Sequence, residues 1–310
     1  MRMGERPRDP IYRYNHEVMN RGIEVMNRAI TARLRQCEKK WQLTLGPKLA
    51  GGFRSEVFDC TMADDSPVVL KLMSTRKEAE MEALALTAWA DTSVTIGVVD
   101  TDLDNAALLL ERVHPATHLS SENESFAVTV AANILKSIHA IPAPKEKFVS
   151  IEDNYELFEQ QVKIDAYYEQ ESRGEPNRGK PALDRLPAAY RLFEHLCNSA
   201  GKKVLLHGDF LDKNLLLKGS TYVAIDPIPM IGDPCSDIGV FAACHLPAGN
   251  MLKRAEAIAR RNGENVLRAH QWTVIWAIHQ AGQAWRDDQP ELERFVVSED
   301  LERLLRTRNP

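Results

Sequence analysis

The chain has 310 residues, of which 44% are hydrophobic and 27% charged, with a formal net charge of −5. The length suits two domains rather than one, and the composition is that of an ordinary globular protein able to bury a sizeable core. The slight acidity argues against a nucleic-acid binder, whose footprint is basic, and permits a cationic small partner.

The first ten residues are polar with two prolines, and MRMGERPRDPIYRYNHEV lacks the apolar segment of a secretory signal. Apolar residues then recur at helical spacing from Tyr12 to about Gln36, predicting an amphipathic helix. Trp41–Leu45 alternates like a strand, Gly46-Pro47 marks a turn, and Gly51–Phe58 reads as a glycine turn entering a second strand. Val68–Leu72 is a β-branched strand, Glu78–Asp91 a helix, and Val94–Val99 and Ala106–Val113 two more strands. Beyond residue 114 helices dominate: Phe126–His139, Asn154–Ser172 and Ala188–Ala200, with Arg173–Pro187 as a polar connection. Val204–His207, Asn214–Leu217 and Tyr222–Ile225 are short strand-like runs, and 236–310 is again mainly helical. The pattern predicts an α+β protein divided into 1–113, a small antiparallel-sheet part, and 114–310, a mainly helical part. No apolar run reaches the ~18 residues of a membrane span, and Cys37, Cys60, Cys197, Cys235 and Cys244 form no CxxC pair. A cytoplasmic protein with reduced thiols and no membrane partner is expected.

The informative stretch is His207-Gly208-Asp209-Phe210-Leu211-Asp212-Lys213-Asn214, followed by Ala224-Ile225-Asp226-Pro227. A strand delivers His-Gly-Asp into a tight loop, Asn214 enters the next strand, and a third strand ends at Asp226. A carboxylate, a carboxamide and a second carboxylate thus gather on neighbouring strand ends. Phosphoryl transfer uses such a set. One carboxylate orients or deprotonates the attacking hydroxyl, and an oxygen-donor pair suits Mg²⁺, a hard cation. Protein kinases place H-R-D, then Asn five residues after the Asp, then D-F-G. Here Gly208 stands for the arginine and Ile-Asp-Pro for the last motif. A plain hairpin with polar turn residues is the bland alternative, but the joint spacing favours chemistry.

Lys71 lies inside an apolar strand, either as a solvent-facing residue or as a phosphate contact. Glu78, Glu80 and Glu82 on the following helix are candidate ion-pair partners that spacing alone does not separate. Gly51, Gly52 and Ser55 sit between two strands, where a lid over phosphates would lie, although such a pair also makes an ordinary turn. The sequence is neither a Walker A nor a GxGxxG motif. Leu108-Leu109-Leu110-Glu111-Arg112-Val113 is an apolar strand, either plain core or an adenine-binding edge.

With these residues assembled, the chain resembles the aminoglycoside phosphotransferases, in particular the streptomycin 6-kinase and hydroxyurea phosphotransferase branch. The resemblance covers roughly 38–290. It is carried by VLKL at Val69–Leu72, EALALTAW at Glu82–Trp89, LLLERV, ILKSIHAIPAP at Ile134–Pro144, HGDFLDKN, and AIDPIPMIGDPCSDIG at Ala224–Gly239. It implies a protein-kinase-like bilobal fold, a nucleotide (ATP or GTP) with Mg²⁺, and γ-phosphoryl transfer to a hydroxyl. Residue by residue, it implies Asp209 as the catalytic aspartate and Asn214 and Asp226 as magnesium ligands. Lys71 becomes the α/β-phosphate lysine, with Glu82 the better match for its helix partner. Gly51, Gly52, Ser55, Glu111 and Val113 fall on the nucleotide side. Asp233 and Asp237 look like a scaffold behind the catalytic loop.

A cationic acceptor needs carboxylates near Asp209. Two clusters are candidates: Glu152, Asp153, Glu156 and Glu159; and Asp287, Asp288, Glu291 and Glu293. Asp287 and Asp288, after Trp285, are preferred, although acidic helix faces are commonly just solvated. The expected partner is therefore a small-molecule acceptor, streptomycin-like, with no nucleic acid, acting on a monomer or homodimer. Competing readings are a kinase of hydroxyurea or another hydroxylated metabolite, a nucleotide-binding pseudokinase, and a metal-dependent hydrolase. Joint presence of Lys71, Asp209, Asn214 and Asp226 argues against a pseudokinase. The hydrolase would want more ligands near HGD, whereas His139, His195, His245, His270 and His279 sit singly.

Overall fold

The computed structural model describes residues 29–49, 55–142, 148–154, 180–244, 250–287 and 290–307. They fall into two compact units, one of residues 1–80 and 98–112, the other of 81–97 and 113–310. Among the described residues, no helix is long and apolar enough to cross a membrane. All five cysteines are free thiols.

The first unit begins with helix α1, residues 29–41. The predicted helix from Tyr12 lies outside the described residues up to 28, and its described end runs on to Trp41. The strand expected at Trp41–Leu45 therefore starts later, as β1 (Thr44–Lys48). Trp41 is buried and gives its indole N–H to Asp100 at 2.7 Å, so packing beats the local alternation. Strands β2 (Ser55–Thr61), β3 (Pro67–Met73), β4 (Val98–Asp102) and β5 (Ala107–Glu111) complete a five-stranded antiparallel sheet in the order β1-β2-β3-β5-β4. β4 thus begins at the end of the strand expected over Val94–Val99. One sheet face packs Val68, Leu70, Leu72, Ala107 and Leu109 against Cys37 and Trp41 of α1. Arg33 fixes α1 further by donating to the main-chain oxygens of Asn105 and Met73 at 2.8 and 2.6 Å.

Helix α2 (Arg76–Ala88) contains the boundary between the units. Its start is a capping box. Glu78 N–H donates to Thr75 Oγ1 at 3.2 Å, and Thr75 N–H donates to Glu78 Oε2 at 3.0 Å.

The second unit carries β6 (Pro115–His118) and helix α3 (Glu124–Ile138), capped by Asn123. Helix α4 (Lys180–Asn198) follows. Of the predicted helix over Asn154–Ser172 only Asn154 is described, as the end of a 3-10 turn from Ile151, and the rest lies outside the described residues. The polar connection expected to reach Pro187 is instead helix from Lys180, with Pro187 inside it. An interior proline costs ~3 kcal/mol. Ala182, Leu186, Ala189, Phe193 and Leu196 recur at intervals of three and four and bury one face, which outweighs that cost.

Short strands β7 (Val204–Leu206), β8 (Leu215–Lys218), β9 (Thr221–Ala224) and β10 (Met230–Gly232) come next. They form the pair β10-β7 and the three-stranded sheet β6-β8-β9. Helices α5 (Cys235–Cys244), α6 (Met251–Asn262), α7 (Val266–Asp287), α8 (Pro290–Val296) and α9 (Glu299–Arg306) end the chain. One continuous apolar cluster joins α3 to α9 with β7 and the loop residue Phe210. Gly239 lets α5 approach α7 closely, since a Cβ there would lie 2.7 Å from the main chain of Trp272.

Candidate active site

Two loops of the second unit carry the polar residues. The first links β7 to β8 and holds His207 to Asn214. The second links β9 to β10 and holds Ile225 to Pro229. Strand pairing brings them together, with Met230 opposite Leu206 and Leu215 opposite Ala224. Three hydrogen bonds then join them: Ile228 N–H to His207 O at 2.8 Å, Ile225 N–H to Asn214 O at 2.9 Å, and His207 Nε2 to Ile225 O at 3.0 Å.

Gly208 is where the first loop turns. Its φ is +76°, and a Cβ would lie 1.9 Å from the Ile228 carbonyl oxygen. No side chain fits there, which is why glycine occupies the position protein kinases give to arginine. Asp226 also has positive φ, +63°, immediately before Pro227. Aspartate tolerates this region better than most residues, and strained backbone of this kind gathers at functional loops.

The first loop is anchored from behind by Asp237 of α5. Its carboxylate, 0% exposed, accepts the N–H groups of His207 at 2.8 Å and Gly208 at 2.9 Å, and pairs with His139 Nε2 at 2.9 Å. Burial pushes the Asp237 pKa up, but the His139 hydrogen bond and charge, with His207 and the Gly208 amide, outweigh it and hold the group below the usual carboxylate range. Asp233 works differently. It caps α5 through Cys235 N–H at 2.9 Å and binds Trp272 Nε1 at 2.8 Å and Arg268, both on α7. The scaffold role expected of both aspartates is thus divided: Asp237 holds the loop, and Asp233 holds the helices.

The His207 ring is enclosed. It lies parallel to Trp89 (5°, centroids 6.3 Å apart) and meets the edge of Phe210. Burial lowers its pKa against the pull of Asp237, Asp209 and Asp226, so it is neutral and donates through Nε2. Nδ1 has no hydrogen-bond partner among the described residues.

Asp209 and Asn214 face each other across the turn. Asn214, 5% exposed, donates through Nδ2 to the Asp209 carbonyl at 2.9 Å and to Oδ2 at 2.8 Å. The other Asp209 oxygen has no hydrogen-bond partner among the described residues. Burial raises the Asp209 pKa, opposed by His207, Lys213 and Asn214. Because the amide nitrogen is engaged, the Asn214 Oδ1 is the donor atom left over, on the strand end beside that of Asp226. A carboxamide and a carboxylate oxygen fit Mg²⁺, which takes one or two protein ligands and completes its shell with phosphate and water. Among the described residues there is no group of three His, Cys, Asp or Glu of the kind a transition metal would use.

Lys71, on β3 of the first unit, lies on the sheet face opposite Leu70 and Leu72 and is only 4% exposed, so it is not a solvent-facing strand residue. Ser55 opens β2, Glu111 ends β5, and Val113 is buried. Of the three helix glutamates, Glu80 is exposed and Glu78 is occupied as a capping residue, while Glu82 is 1% exposed. Gly51 and Gly52 lie outside the described residues. So do Asp288, Glu156 and Glu159; Asp287 is the last residue of α7. Glu152 and Asp153 are exposed, and Glu152 pairs with Lys203 at 2.6 Å. Sequence reasoning missed His139, 98 residues from its partner Asp237, because no local pattern connects them.

The family described as aminoglycoside/hydroxyurea antibiotic resistance kinase matches residues 40–289. Streptomycin 6-kinase of Streptomyces griseus is 27% identical over 212 residues, 67% of this chain and 65% of that protein. The chain thus matches just under two thirds of that relative's length. Hydroxyurea phosphotransferase of Kitasatospora aureofaciens is 26% identical over 249 residues, 79% of this chain and 70% of that one. Among solved structures, a choline/ethanolamine kinase family protein from Mesorhizobium loti has a TM-score of 0.58 at 16% identity, covering 84% of this chain and 91% of its own. The streptomycin–ATP complex of APH(2")-IIa has a TM-score of 0.51 at 14% identity, covering 89% and 95%. These structural likenesses show the fold, which is the protein-kinase-like α+β one. By its sequence, the chain belongs to the aminoglycoside/hydroxyurea antibiotic resistance kinase family, whose relatives are phosphotransferases.

Proposed function

We propose that the protein is an ATP- and Mg²⁺-dependent kinase that transfers the γ-phosphoryl group to a hydroxyl of a streptomycin-type aminoglycoside. The observation that carries the reading is the Asp209 carboxylate, fixed through one oxygen by Asn214 and open at the other. The open oxygen orients the acceptor hydroxyl and takes its proton as the new O–P bond forms and the bond to the β-phosphate oxygen breaks. A carboxylate whose pKa is raised by burial is a better proton acceptor than an exposed one. Asp226 and Asn214 would hold Mg²⁺, which when bound neutralises charge on the β- and γ-phosphates. Lys71 is the proposed phosphate lysine, with Glu82 its helix partner. The nucleotide side also includes Ser55, Glu111 and Val113, and Gly51 and Gly52 by sequence. Support for ATP comes from the ATP held by APH(2")-IIa in the same fold. Support for the acceptor comes from the names of the two relatives above.

A second acceptor is favoured by one observation: the hydroxyurea phosphotransferase aligns over more of the chain, 79% against 67%. A coupled ADP-release assay over streptomycin, other aminoglycosides, hydroxyurea and sugar alcohols separates these. Stimulation by streptomycin is expected, and silence across the aminoglycosides removes that acceptor. Asp209→Ala is expected to fold, bind Mg·ATP and lose several powers of ten in turnover. Wild-type turnover in that variant refutes the mechanism. Asp287→Asn with Asp288→Asn tests the proposed acceptor contacts through the KM for streptomycin.

A further inference from the structure

We propose that His118 is a positioning residue that sets the Asn214 carboxamide by holding the peptide plane before it. Residues Asp212–Asn214 form one 3-10 turn. So short a turn is weakly self-supporting, because few hydrogen bonds offset the dihedrals it fixes. Asn214 N–H donates to Leu211 O at 2.9 Å, and Leu215 N–H closes on Asp212 O. The Lys213 carbonyl is left to an outside group, and His118 Nδ1 meets it at 2.7 Å. A carbonyl only accepts, so Nδ1 carries the hydrogen.

The Lys213 carbonyl and the Asn214 N–H belong to one rigid peptide unit. With Leu211 holding its N–H end and His118 its oxygen end, the unit cannot rotate, and the direction in which Asn214 leaves the chain is fixed. The hand that holds it is itself held. His118 pairs with Leu216 in the β6–β8 register, and its carbonyl accepts Ser121 Oγ at 2.7 Å. Just behind it, Leu119 is fully buried.

Arg254 of α6 is anchored on α3 and α5. Its buried guanidinium donates to Glu124 Oε1 at 2.8 Å and to the Ala242 carbonyl at 2.8 and 3.2 Å. Burial lowers its pKa, and the Glu124 carboxylate opposes that fall.

The consequence for metal use rests on the phosphotransferase reading above; the consequence for the turn does not. The tests are His118→Ala and His118→Asn, since the asparagine amide N–H reaches about where Nδ1 sits. In His118→Ala, amide exchange at Asn214 and Leu215 is expected to speed up about tenfold, as loss of one hydrogen bond implies. The Mg²⁺ concentration for half-maximal turnover is expected to rise about tenfold, with the KM for ATP at saturating Mg²⁺ unchanged. His118→Asn should restore both. Wild-type exchange in His118→Ala, or no rescue by asparagine, overturns the proposal. If the wild-type chain turns over no acceptor, the phosphotransferase reading falls, and the exchange rates still decide the role of His118.

Discussion

The side chain of Asn214 donates twice to Asp209, at 2.9 Å to its carbonyl and at 2.8 Å to its carboxylate. One carboxamide thus fixes both the main chain and the acid of the same residue.

Asn214→Ala releases that grip. Misplacing a reacting group by about 1 Å costs on the order of 10²-fold in rate. Turnover should fall by that factor at saturating substrates, with the far-ultraviolet circular dichroism unchanged. A variant within threefold of wild type would show that Asp209 is held by other means.

Gly208→Ala places a methyl 1.9 Å from the Ile228 carbonyl at a φ of +76°. Strain and overpacking together should cost about 3 kcal/mol or more. The midpoint of urea unfolding reports the loss, and activity should fall with it as the two loops separate.

Asp237→Asn keeps the shape and loses the charge. The new amide group would face one of the two loop N–H groups, donor against donor. Breaking a buried charged network in this way costs about 3 kcal/mol or more. Equilibrium unfolding at neutral pH measures it.

Glu78→Ala removes half of the capping box at the start of α2. The expected loss is about 1 kcal/mol of stability, read from thermal unfolding. An unchanged midpoint would mean that solvent caps the helix as well as Glu78 does.

His279 on α7 has its pKa pushed down to about 4 by burial, below the ordinary 6.5. The unfolded chain therefore takes up a proton that the folded chain refuses. Stability is full above 6.5 and falls as the pH drops from there toward 4, by at most about 3 kcal/mol. In His279→Gln the slope of unfolding free energy over that window should flatten.

The candidate site was legible where its residues follow closely in sequence. Asp209, Asn214 and Asp226 lie within one stretch, and the strand β3 around Lys71 was delimited nearly to the residue. Less was readable where packing overrides local pattern. Trp41 alternates with Leu43 like a strand residue yet closes a helix, because its indole is drawn to Asp100, 59 positions away. Pro187 reads as a breaker, but the apolar face around it keeps α4 continuous. Strand β6 and the role of His118 left no trace, since both depend on pairing with β8, far along the chain. The three glutamates of α2 were indistinguishable by spacing. The T-x-x-E capping signature at Thr75–Glu78 was present in the sequence and would have removed Glu78 from the choice.

Asp237 reaches the loop from inside the helical core, and among the described residues its hydrogen bonds go to His139, His207 and Gly208, none of them exposed. The main chain just before Asp209 is therefore fixed from within the helical core. The far end of the loop is held from the surface instead, where exposed His118 meets the Lys213 carbonyl at 2.7 Å, so one loop has a core anchor and a surface anchor. A substitution in the core and one at the surface are therefore expected to loosen opposite ends of the same loop.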